Sequence, residues 1–558
     1  MYDRNELTGK SRVVYLAMII AVAIIIRTLF IDTSFTNENE AFNAVDLWGY
    51  RQALEKIDLL FTGKTDLFIN HLKTINIKAE IGQQTIVHPL VSLIIRPGYT
   101  LLMLPVSYLT GANALAGKIL NCIFAILTII FVYIFARNLL GATPALISCL
   151  ILALSGYHIA WSRLCDSHLL ASFFSFAACF FHYKSVKENR RLFMFLCGTF
   201  MGYSILSNLA ALPFLPIIFA LEMYWFVSKL RLVNTVFRGI IFFAGLALPL
   251  LLFESFSLGL KHLLVGKISY FAEITRIFNQ EINTSASLYS YSQPLNFIIY
   301  IFDSEGPIVF LLISMAIVAL FNKSVIKIKL ADFWRREVNL SENYIEIFLL
   351  AYVVFWIWGS IKGANHYPPR AYLYVIPFLA LWSGKLFEYL RQKYGGQVVL
   401  LLLSIYILTQ VARNIPIITL GSGFAEAADF MGPKSENSGI VSLSNRPIYT
   451  FYLGPINVAK AESVAELKKL CIEKGYRYFV ADWQALWFYN SKNELYEFEQ
   501  MYQPVKVIEN PRLGYMPYMA QAFCYPGDYI KMKRLPFRMQ TLRIYDLKKI
   551  FHIDESSS

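Results

Sequence analysis

The sequence has 558 residues, of which 56% are hydrophobic and only 16% are charged, and its mean hydropathy is +0.48. Soluble domains carry about a quarter charged residues, so this composition excludes a large soluble enzyme and predicts a polytopic α-helical membrane protein. The net charge of +13 does not predict a nucleic-acid partner, because excess Lys and Arg in a membrane protein is expected first in its cytoplasmic loops.

Apolar runs of membrane-spanning length recur along the chain. A span needs about 20 predominantly apolar residues, and eleven segments approach or reach that length. They are 13–31, 113–137, 142–161, 167–183, 192–208, 209–228, 236–257, 304–321, 344–361, 371–390 and 397–414.

The apolar segment 88–111 is ambiguous, because Arg96, Pro97, Gly98 and Pro105 interrupt it. If it does not cross the membrane and the N-terminus is cytoplasmic, nearly every short basic loop falls on the cytoplasmic side, as the positive-inside rule expects. We therefore predict an interfacial or re-entrant segment, buried against protein. This orientation places the C-terminus outside and predicts an integral protein of the cell (inner) membrane.

The first outer loop, 32–112, opens with the acidic stretch FTNENEAFNAVDLWGYRQAL. The apolar residues Phe42 and Val45 recur at helical spacing, which predicts an amphipathic helix lying along the membrane interface. Glu38 and Glu40 precede or begin this helix, and we expect them to face water close to the bilayer. They are candidate catalytic carboxylates, and the alternative is that they form the capping turn of the helix.

The stretch SGYHIAWSRLCDSHLL contains a second polar site. Its Arg163 and Asp166 lie three residues apart between two predicted spans. One interpretation is a helix-end pair, with Arg at the interface and Asp capping the next helix. The other is that both residues point into a cavity at the outer face, since charges at membrane depth are costly and usually functional.

A third polar site is the short outer loop 362–370, where Lys362, His366 and Arg370 are crowded together. Snorkelling cations at the interface are one explanation. However, cations on this side oppose the positive-inside trend, which favours an anionic partner. A phosphate suits them, because the guanidinium of Arg binds two oxygens at once.

The polar tail 415–558 predicts a small extracytoplasmic α/β domain. The segment SGIVSLSNRPIYTFYLG indicates strand and turn, and YRYFVADW indicates a strand. Between them, Ser463 and Gly475 are placed to cap and end an amphipathic helix. Cys471 and Cys524 lie in this tail and form a disulfide only if it faces an oxidising compartment.

In the order of these parts, the sequence resembles the GT-C glycosyltransferases of the protein O-mannosyltransferase and lipid A aminoarabinose transferase type. The resemblance covers most of the chain. It is carried by NENEAF, HP…RPGYTLLMLPVSYLTG, ARNLLGATPALISCLILALSGYHIAWSRLCDSHLL and RAYLYVIPFLALWSG. It implies a GT-C-like membrane domain, residues 1–414, followed by the α/β domain, residues 415–558.

The resemblance also implies roles for individual residues. The family's acidic pair Asp-Glu corresponds to Asn39–Glu40, so Asn replaces the Asp that is its proposed base. Either Glu40 or Glu38 takes over that role, or the protein is a divergent member without catalysis. Arg163 and Asp166 match the family's Arg…Asp pair, and Arg370 matches the Arg implied to contact the donor phosphate.

Together these features predict an inverting transferase that uses a polyprenyl-phosphate-linked sugar and a glycan, lipid or protein acceptor at the outer face. Glu40, Glu38 and Asp166 are the candidate catalytic residues. Arg163, Arg370, His366 and Lys362 are the candidate ligands of the donor phosphate. The alternatives are a membrane transporter and a non-catalytic GT-C relative. No metal site is predicted with certainty, although His88 and Glu80 are candidate ligands for a divalent cation.

Overall fold

The computed structural model describes most of the helical domain and parts of the tail. The described residues are 9–32, single positions and short stretches between 40 and 71, 96–229 without 112, 232–263, 275, 305–306, 344–361, 368–419, 421–432, 439–442, 446–453, 458–461, 463–481, 494–509 and 541–553.

Helices dominate residues 9–431. They are α1 (Gly9–Thr28), α2 (Asp58–Phe61), α3 (Pro97–Thr110), α4 (Ala114–Leu140), α5 (Ala142–Leu154), α6 (Gly156–Ser162), α7 (His168–Glu188), α8 (Arg191–Ser207), a 3₁₀ turn (Leu209–Ala211), α9 (Phe214–Lys229), α10 (Leu232–Leu263), α11 (Tyr344–Ile361), α12 (Pro368–Tyr394), α13 (Gly396–Thr419) and α14 (Phe424–Met431).

The predicted spans correspond well to these helices. Ten of the eleven segments lie on described helices, and the eleventh, 304–321, falls outside the described residues except for 305 and 306. Within the described part of the chain, five helices are long and apolar enough to cross a membrane, or six if α5 and α6 count as one span. These two helices meet at an angle of 59°, so the predicted span 142–161 is broken at Ser155.

The described part of segment 88–111 is the helix α3. Its 14 residues extend about 21 Å at 1.5 Å per residue, which is shorter than the roughly 30 Å hydrocarbon core. One face is buried against protein, and the Tyr203 hydroxyl of α8 donates a hydrogen bond to the Gly98 carbonyl at 2.9 Å. This short, protein-covered helix agrees with the predicted interfacial or re-entrant segment.

Helices α8 and α10 pack backbone against backbone. A Cβ added at Gly198 would lie 2.1 Å from the Phe242 carbonyl oxygen, and one at Gly245 would lie 2.2 Å from that of Phe195. Small residues permit such close approach between membrane helices. Nearby, the Glu222 carboxylate accepts hydrogen bonds from the buried Arg238 guanidinium, so two charges inside the helical domain are paired.

The tail forms a five-stranded sheet of order β2-β1-β3-β5-β4. Strands β2, β1 and β3 are parallel, and β5 pairs antiparallel with both β3 and β4. The elements are β1 (Ile440–Ser442), α15 (Arg446–Leu453), β2 (Val458–Ala459), α16 (Val464–Lys474), β3 (Tyr478–Ala481), α17 (Glu494–Met501), β4 (Lys506–Glu509), β5 (Thr541–Asp546) and α18 (Leu547–Ile550).

Local sequence patterns in the tail predicted three of these elements, β1, α16 and β3. The Ser463 hydroxyl accepts the Glu466 N–H at 3.2 Å at the start of α16, and Gly475 ends the helix with φ of +68°. The strand predicted in 438–454 is only partly correct, because β1 ends at Ser442 and α15 follows. Cys471 is a buried free thiol, and Cys524 lies outside the described residues.

The tail packs on the helical domain. One buried apolar cluster contains Ala44 and Leu47 of the first outer loop, Tyr99 of α3, and Phe424 and Ile544 of the tail. Helix α13 continues to Thr419, five residues beyond the predicted domain boundary at 414.

Candidate active site

The turn between α6 and α7 is buried throughout, from Arg163 to Ser167. Asn121 of α4 holds it in place, since its side-chain amide donates to the Leu164 carbonyl at 2.6 Å and to the Asp166 carbonyl at 2.7 Å. Two bonds from one amide immobilise the backbone on both sides of Cys165. We call residues 163–167 the junction.

Glu40 comes from the first outer loop and contacts the junction directly. Its Oε1 accepts the backbone N–H of Cys165 at 2.8 Å. Glu40, Ala44 and Leu47 are all fully buried, and with Arg51 they lie on one helical face. The expectation that Glu40 faces water is therefore wrong, because this face packs on protein. Phe42 and Val45, which defined the predicted apolar face, lie outside the residues whose side chains are described.

The same loop segment is anchored to α3. The Arg51 guanidinium donates to the Ser107 carbonyl at 3.0 Å and lies 5.3 Å from the centre of the Tyr108 ring. Glu40 at one end and Arg51 at the other thus hold this segment against the junction and α3.

Asp166 is buried and takes part in the start of α7. Its Oδ1 accepts the His168 N–H at 3.1 Å. The N-cap residue of α7 is Ser167, so Asp166 bonds to the first residue of the helix from one position before the cap. The His168 Nδ1 lies 3.4 Å from the Tyr374 hydroxyl of α12. Asp166 therefore directly follows Cys165, whose N–H bonds to Glu40. It also bonds to the backbone of His168, whose side chain contacts α12.

Arg163 donates hydrogen bonds to backbone carbonyls at the ends of two helices. At the end of α1, its guanidinium donates to the carbonyls of Arg27 at 2.9 Å and Leu29 at 2.7 Å. In α13, it donates to the Ile418 carbonyl at 3.2 Å. Further bonds reach the carbonyls of Ile26 and Phe30. These bonds engage both terminal nitrogens with backbone carbonyls, and the predicted role of Arg163 as a phosphate ligand stays a prediction.

Tyr99 and Cys165 are in contact at the junction, and neither residue was predicted from the sequence. The Tyr99 hydroxyl lies 3.8 Å from the Cys165 Sγ, to which it donates. Burial raises the pKa of Tyr99 well above its usual value, and the neighbouring Cys165 and Asp166 add to this shift. Burial, followed by the charge of Glu40, likewise raises the pKa of Cys165. Both groups therefore stay protonated at neutral pH, which makes Cys165 a poor nucleophile.

Lys118 is another residue that sequence analysis passed over. It lies in the apolar helix α4, is 1% exposed, and donates to the backbone carbonyl of Asp32 at 3.1 Å and to its carboxylate at 3.4 Å. A cation inside an apolar run is the pattern that could have identified it. It ties the outer end of α1 to α4 close to the junction.

The structure describes few of the remaining predicted site residues. Glu38, Lys362 and His366 lie outside the described residues, as do His88 and Glu80. Arg370 lies in the first turn of α12, although its side chain is not among those described. Across the described ranges, no group of three or more His, Cys, Asp or Glu residues is arranged to hold a metal ion.

Comparison with known proteins adds independent observations. Residues 88–256 match the family model described as dolichyl-phosphate-mannose-protein mannosyltransferase. The apo oligosaccharyltransferase of Archaeoglobus fulgidus is similar in structure, with a TM-score of 0.55 at 13% sequence identity over 90% of this chain and 74% of that one. The chain has the GT-C fold.

Two further structures with the GT-C fold are similar to this chain. The A. fulgidus oligosaccharyltransferase AglB in complex with an inhibitory peptide and a dolichol-phosphate has a TM-score of 0.52 at 13% identity, over 85% of this chain and 69% of that one. ArnT from Cupriavidus metallidurans bound to undecaprenyl phosphate also has a TM-score of 0.52, at 12% identity, over 85% and 93%. No curated protein matches the sequence.

These findings confirm the predicted resemblance to the GT-C glycosyltransferases and the predicted fold class, an integral membrane protein of apolar helices with a small sheet in its tail. The matched segment 88–256 includes α3, α4 and the junction. The residues around Glu40 and Asp166 are therefore the candidate active site.

Proposed function

We propose that this protein transfers a glycosyl group from a polyprenyl-phosphate-linked donor to an acceptor at the outer face of the membrane, with inversion. The observation that carries the proposal is the contact between Glu40 and the Cys165 N–H, which joins the acidic first loop to Asp166. The family match over 88–256 and the similarity to two structures that contain a polyprenyl-type lipid phosphate support the same reaction class.

The proposed reaction exchanges one bond for another at the anomeric carbon. The acceptor nucleophile attacks that carbon and loses its proton to a carboxylate, while the bond to the donor phosphate oxygen breaks and the lipid phosphate leaves. Asp166 is the described carboxylate that we propose as the base, with Glu38 as the alternative from the first loop. A general base of this kind contributes about 10²–10⁴-fold to the rate.

We propose Arg370, with Lys362 and His366, as the group that stabilises the leaving phosphate. All three belong to one short segment at the start of α12. His168, whose backbone N–H bonds to Asp166, reaches with its side chain to Tyr374, four residues after Arg370 in α12. Arg163 is assigned a positioning role instead.

Asp166→Asn tests this proposal, because Asn retains the Oδ1 acceptor for the His168 N–H but loses the charge needed to take a proton. We expect transfer to fall by about 10²-fold or more while the thermal stability in detergent stays close to that of the wild type. The measurement is transfer of label from a polyprenyl-phosphate sugar to acceptor in membrane fractions, with matched protein levels.

The wild-type result separates this proposal from its two rivals. Labelled product supports a transferase, and lipid or solute flux without covalent product supports a transporter. Neither product nor flux supports a non-catalytic GT-C protein, which Asn39 in place of the family's Asp favours. Transfer at the wild-type rate by the Asp166→Asn protein would remove Asp166 from the role of base.

A further inference from the structure

An apolar groove lies on the membrane-facing side of the helical domain, far along the helices from the junction. It has a volume of about 240 Å³ and lies between α8, α9 and α10. Its lining includes Met194, Leu215, Ile218, Gly239 and Phe242. The one ionisable side chain in its lining, Glu222, is paired with Arg238, so the groove presents an almost wholly hydrocarbon surface.

Side chains at the edges of the groove are exposed among the described residues. Phe219 and Phe243 at its edges are 59% and 56% exposed, and both belong to apolar helices of the membrane domain. An unfilled gap of this size would forfeit dispersion contacts along its walls. In a bilayer, the molecules available to fill it are hydrocarbon chains.

One end of the groove is bordered by cations. Arg191 precedes Met194 by three residues on α8, which places both on one helical face. The Arg191 guanidinium carbon lies 5.4 Å from the centre of the Phe237 ring, so Arg191 of α8 contacts α10, and both helices line the groove. The adjoining Arg190 side chain is 72% exposed, and its Nε lies 3.8 Å from the Glu188 carboxylate.

The basic loop that contains these two arginines strengthens the charge at this end. Residues 184–191 contain four cations and one carboxylate, Glu188, so the loop has a net charge of +3. Under the predicted orientation this loop is cytoplasmic. Basic residues next to a membrane surface attract anionic lipids, so the groove ends where an anionic head group would be favoured.

We propose that this groove binds one anionic glycerophospholipid, with an acyl chain between α8, α9 and α10 and its phosphate beside Arg190 and Arg191. The charge of the loop favours a lipid with net negative charge over a zwitterionic one, whose own cation competes with the arginines. This site is separate from the junction and does not depend on the proposed transferase activity.

Gly239 provides a way to close the groove. A Cβ at this position would meet no atom within 4 Å, so a larger side chain can enter the groove without displacing the protein. Gly239→Leu should therefore fill the space of the acyl chain, and Leu also favours the helix more than Gly. Leu252→Phe is the matched control, since Leu252 lies on the same helix, is 64% exposed, and does not line the groove.

The experiment is native mass spectrometry of the delipidated full chain in detergent, titrated with phosphatidylglycerol or phosphatidylcholine. We expect one phosphatidylglycerol to bind the wild type about tenfold more tightly than phosphatidylcholine. Gly239→Leu should weaken its binding about tenfold, and Leu252→Phe should leave binding unchanged. Replacing the exposed Arg190 and Arg191 by Gln should reduce the preference for phosphatidylglycerol to below about twofold. Because Arg191 contacts the Phe237 ring of α10, the melting temperature of this variant is compared with that of the wild type to show that it is folded.

Three results would overturn the proposal. The first is equal binding of the two phospholipids by the wild type. The second is undiminished phosphatidylglycerol binding by a folded Gly239→Leu protein, or undiminished preference in the double arginine variant. The third is displacement of phosphatidylglycerol from the wild type by undecaprenyl phosphate at equal concentration, which would assign the groove to a polyprenyl chain. None of these results depends on whether the protein transfers a sugar.

Discussion

The carboxylate of Glu40 is fully buried and accepts the backbone N–H of Cys165 at 2.8 Å. A carboxylate in this position stabilises the junction, because a buried N–H without an acceptor costs about 1–3 kcal/mol. It has little room to meet a substrate. We propose a positioning role for Glu40 on the strength of this contact. Asp166 is also buried, at 1% exposed, and accepts the His168 N–H, so the assignment of the base to Asp166 or Glu38 stays a proposal for the variants to test.

Two substitutions at Glu40 distinguish positioning from proton transfer. Glu40→Gln retains an oxygen that accepts the Cys165 N–H, whereas Glu40→Ala removes it. If Glu40 positions the junction, we expect Gln to keep transfer within about tenfold of the wild type and Ala to reduce it by about 10²-fold or more. The measurement is the rate of sugar transfer with saturating donor for both proteins.

Equal and large losses of transfer in the two Glu40 variants would instead identify the charge as essential, as expected of a base. Melting temperatures provide the control. The positioning role predicts a lower melting temperature for Glu40→Ala than for Glu40→Gln, whereas a base that is not needed for folding predicts no difference.

At the scale of elements, Arg163 connects three parts of the fold. Its guanidinium bonds to carbonyls at the end of α1 and to the Ile418 carbonyl near the end of α13, while its backbone belongs to the junction. The last carbonyls of a helix have no partner within the helix. Arg163 supplies partners for carbonyls from two helices at once, which explains a buried cation at the outer end of the bundle.

Arg163→Lys should destabilise the protein although it retains the charge. An ammonium group is a compact donor and cannot reproduce the planar fork of the guanidinium, so carbonyls of α1 or α13 lose their partners. We expect a loss of at least about 1 kcal/mol, measured as a lower melting temperature in detergent. A variant with unchanged stability but a raised KM for the lipid donor would restore Arg163 as a phosphate ligand.

At the scale of the whole molecule, the GT-C fold brings the first loop, the junction and α12 to one side of the helical domain, and the tail joins the same side. The buried cluster that contains Leu47, Tyr99 and Ile544 makes this connection. An acceptor from outside and a donor from the membrane could meet there only if this side faces away from the cytoplasm.

Cysteine labelling on intact cells tests that orientation. Glu473 in α16 of the tail and Gln392 near the end of α12 are both exposed, whereas the native cysteines among the described residues are buried. With wild-type labelling as background, a membrane-impermeant maleimide should label Glu473→Cys on intact cells and Gln392→Cys only after permeabilisation. The opposite pattern would place the tail and the proposed site in the cytoplasm.

Local patterns in the sequence predicted the elements that depend on local physics. Ten predicted spans lie on described helices, because a long apolar run in a membrane protein favours the helix, which satisfies its own backbone hydrogen bonds. Five of the described helices, or six if α5 and α6 count as one span, are long and apolar enough to cross a membrane. Helix α16 begins and ends where Ser463 and Gly475 indicate, since caps act within one turn. The prediction for 438–454 was only partly correct, because the apolar periodicity of a short segment does not separate strand from helix.

The sequence by itself determined that this chain is a membrane protein of GT-C type and that Glu40, Arg163 and Asp166 belong to one region of interest. Only the tertiary structure decided what each of them contacts. The sequence shows that a side chain is charged, but the role of that side chain depends on which backbone groups lie beside it in the fold. Glu40 accepts a buried N–H because the first loop packs on the junction, and Arg163 donates to carbonyls because α1 and α13 end beside it.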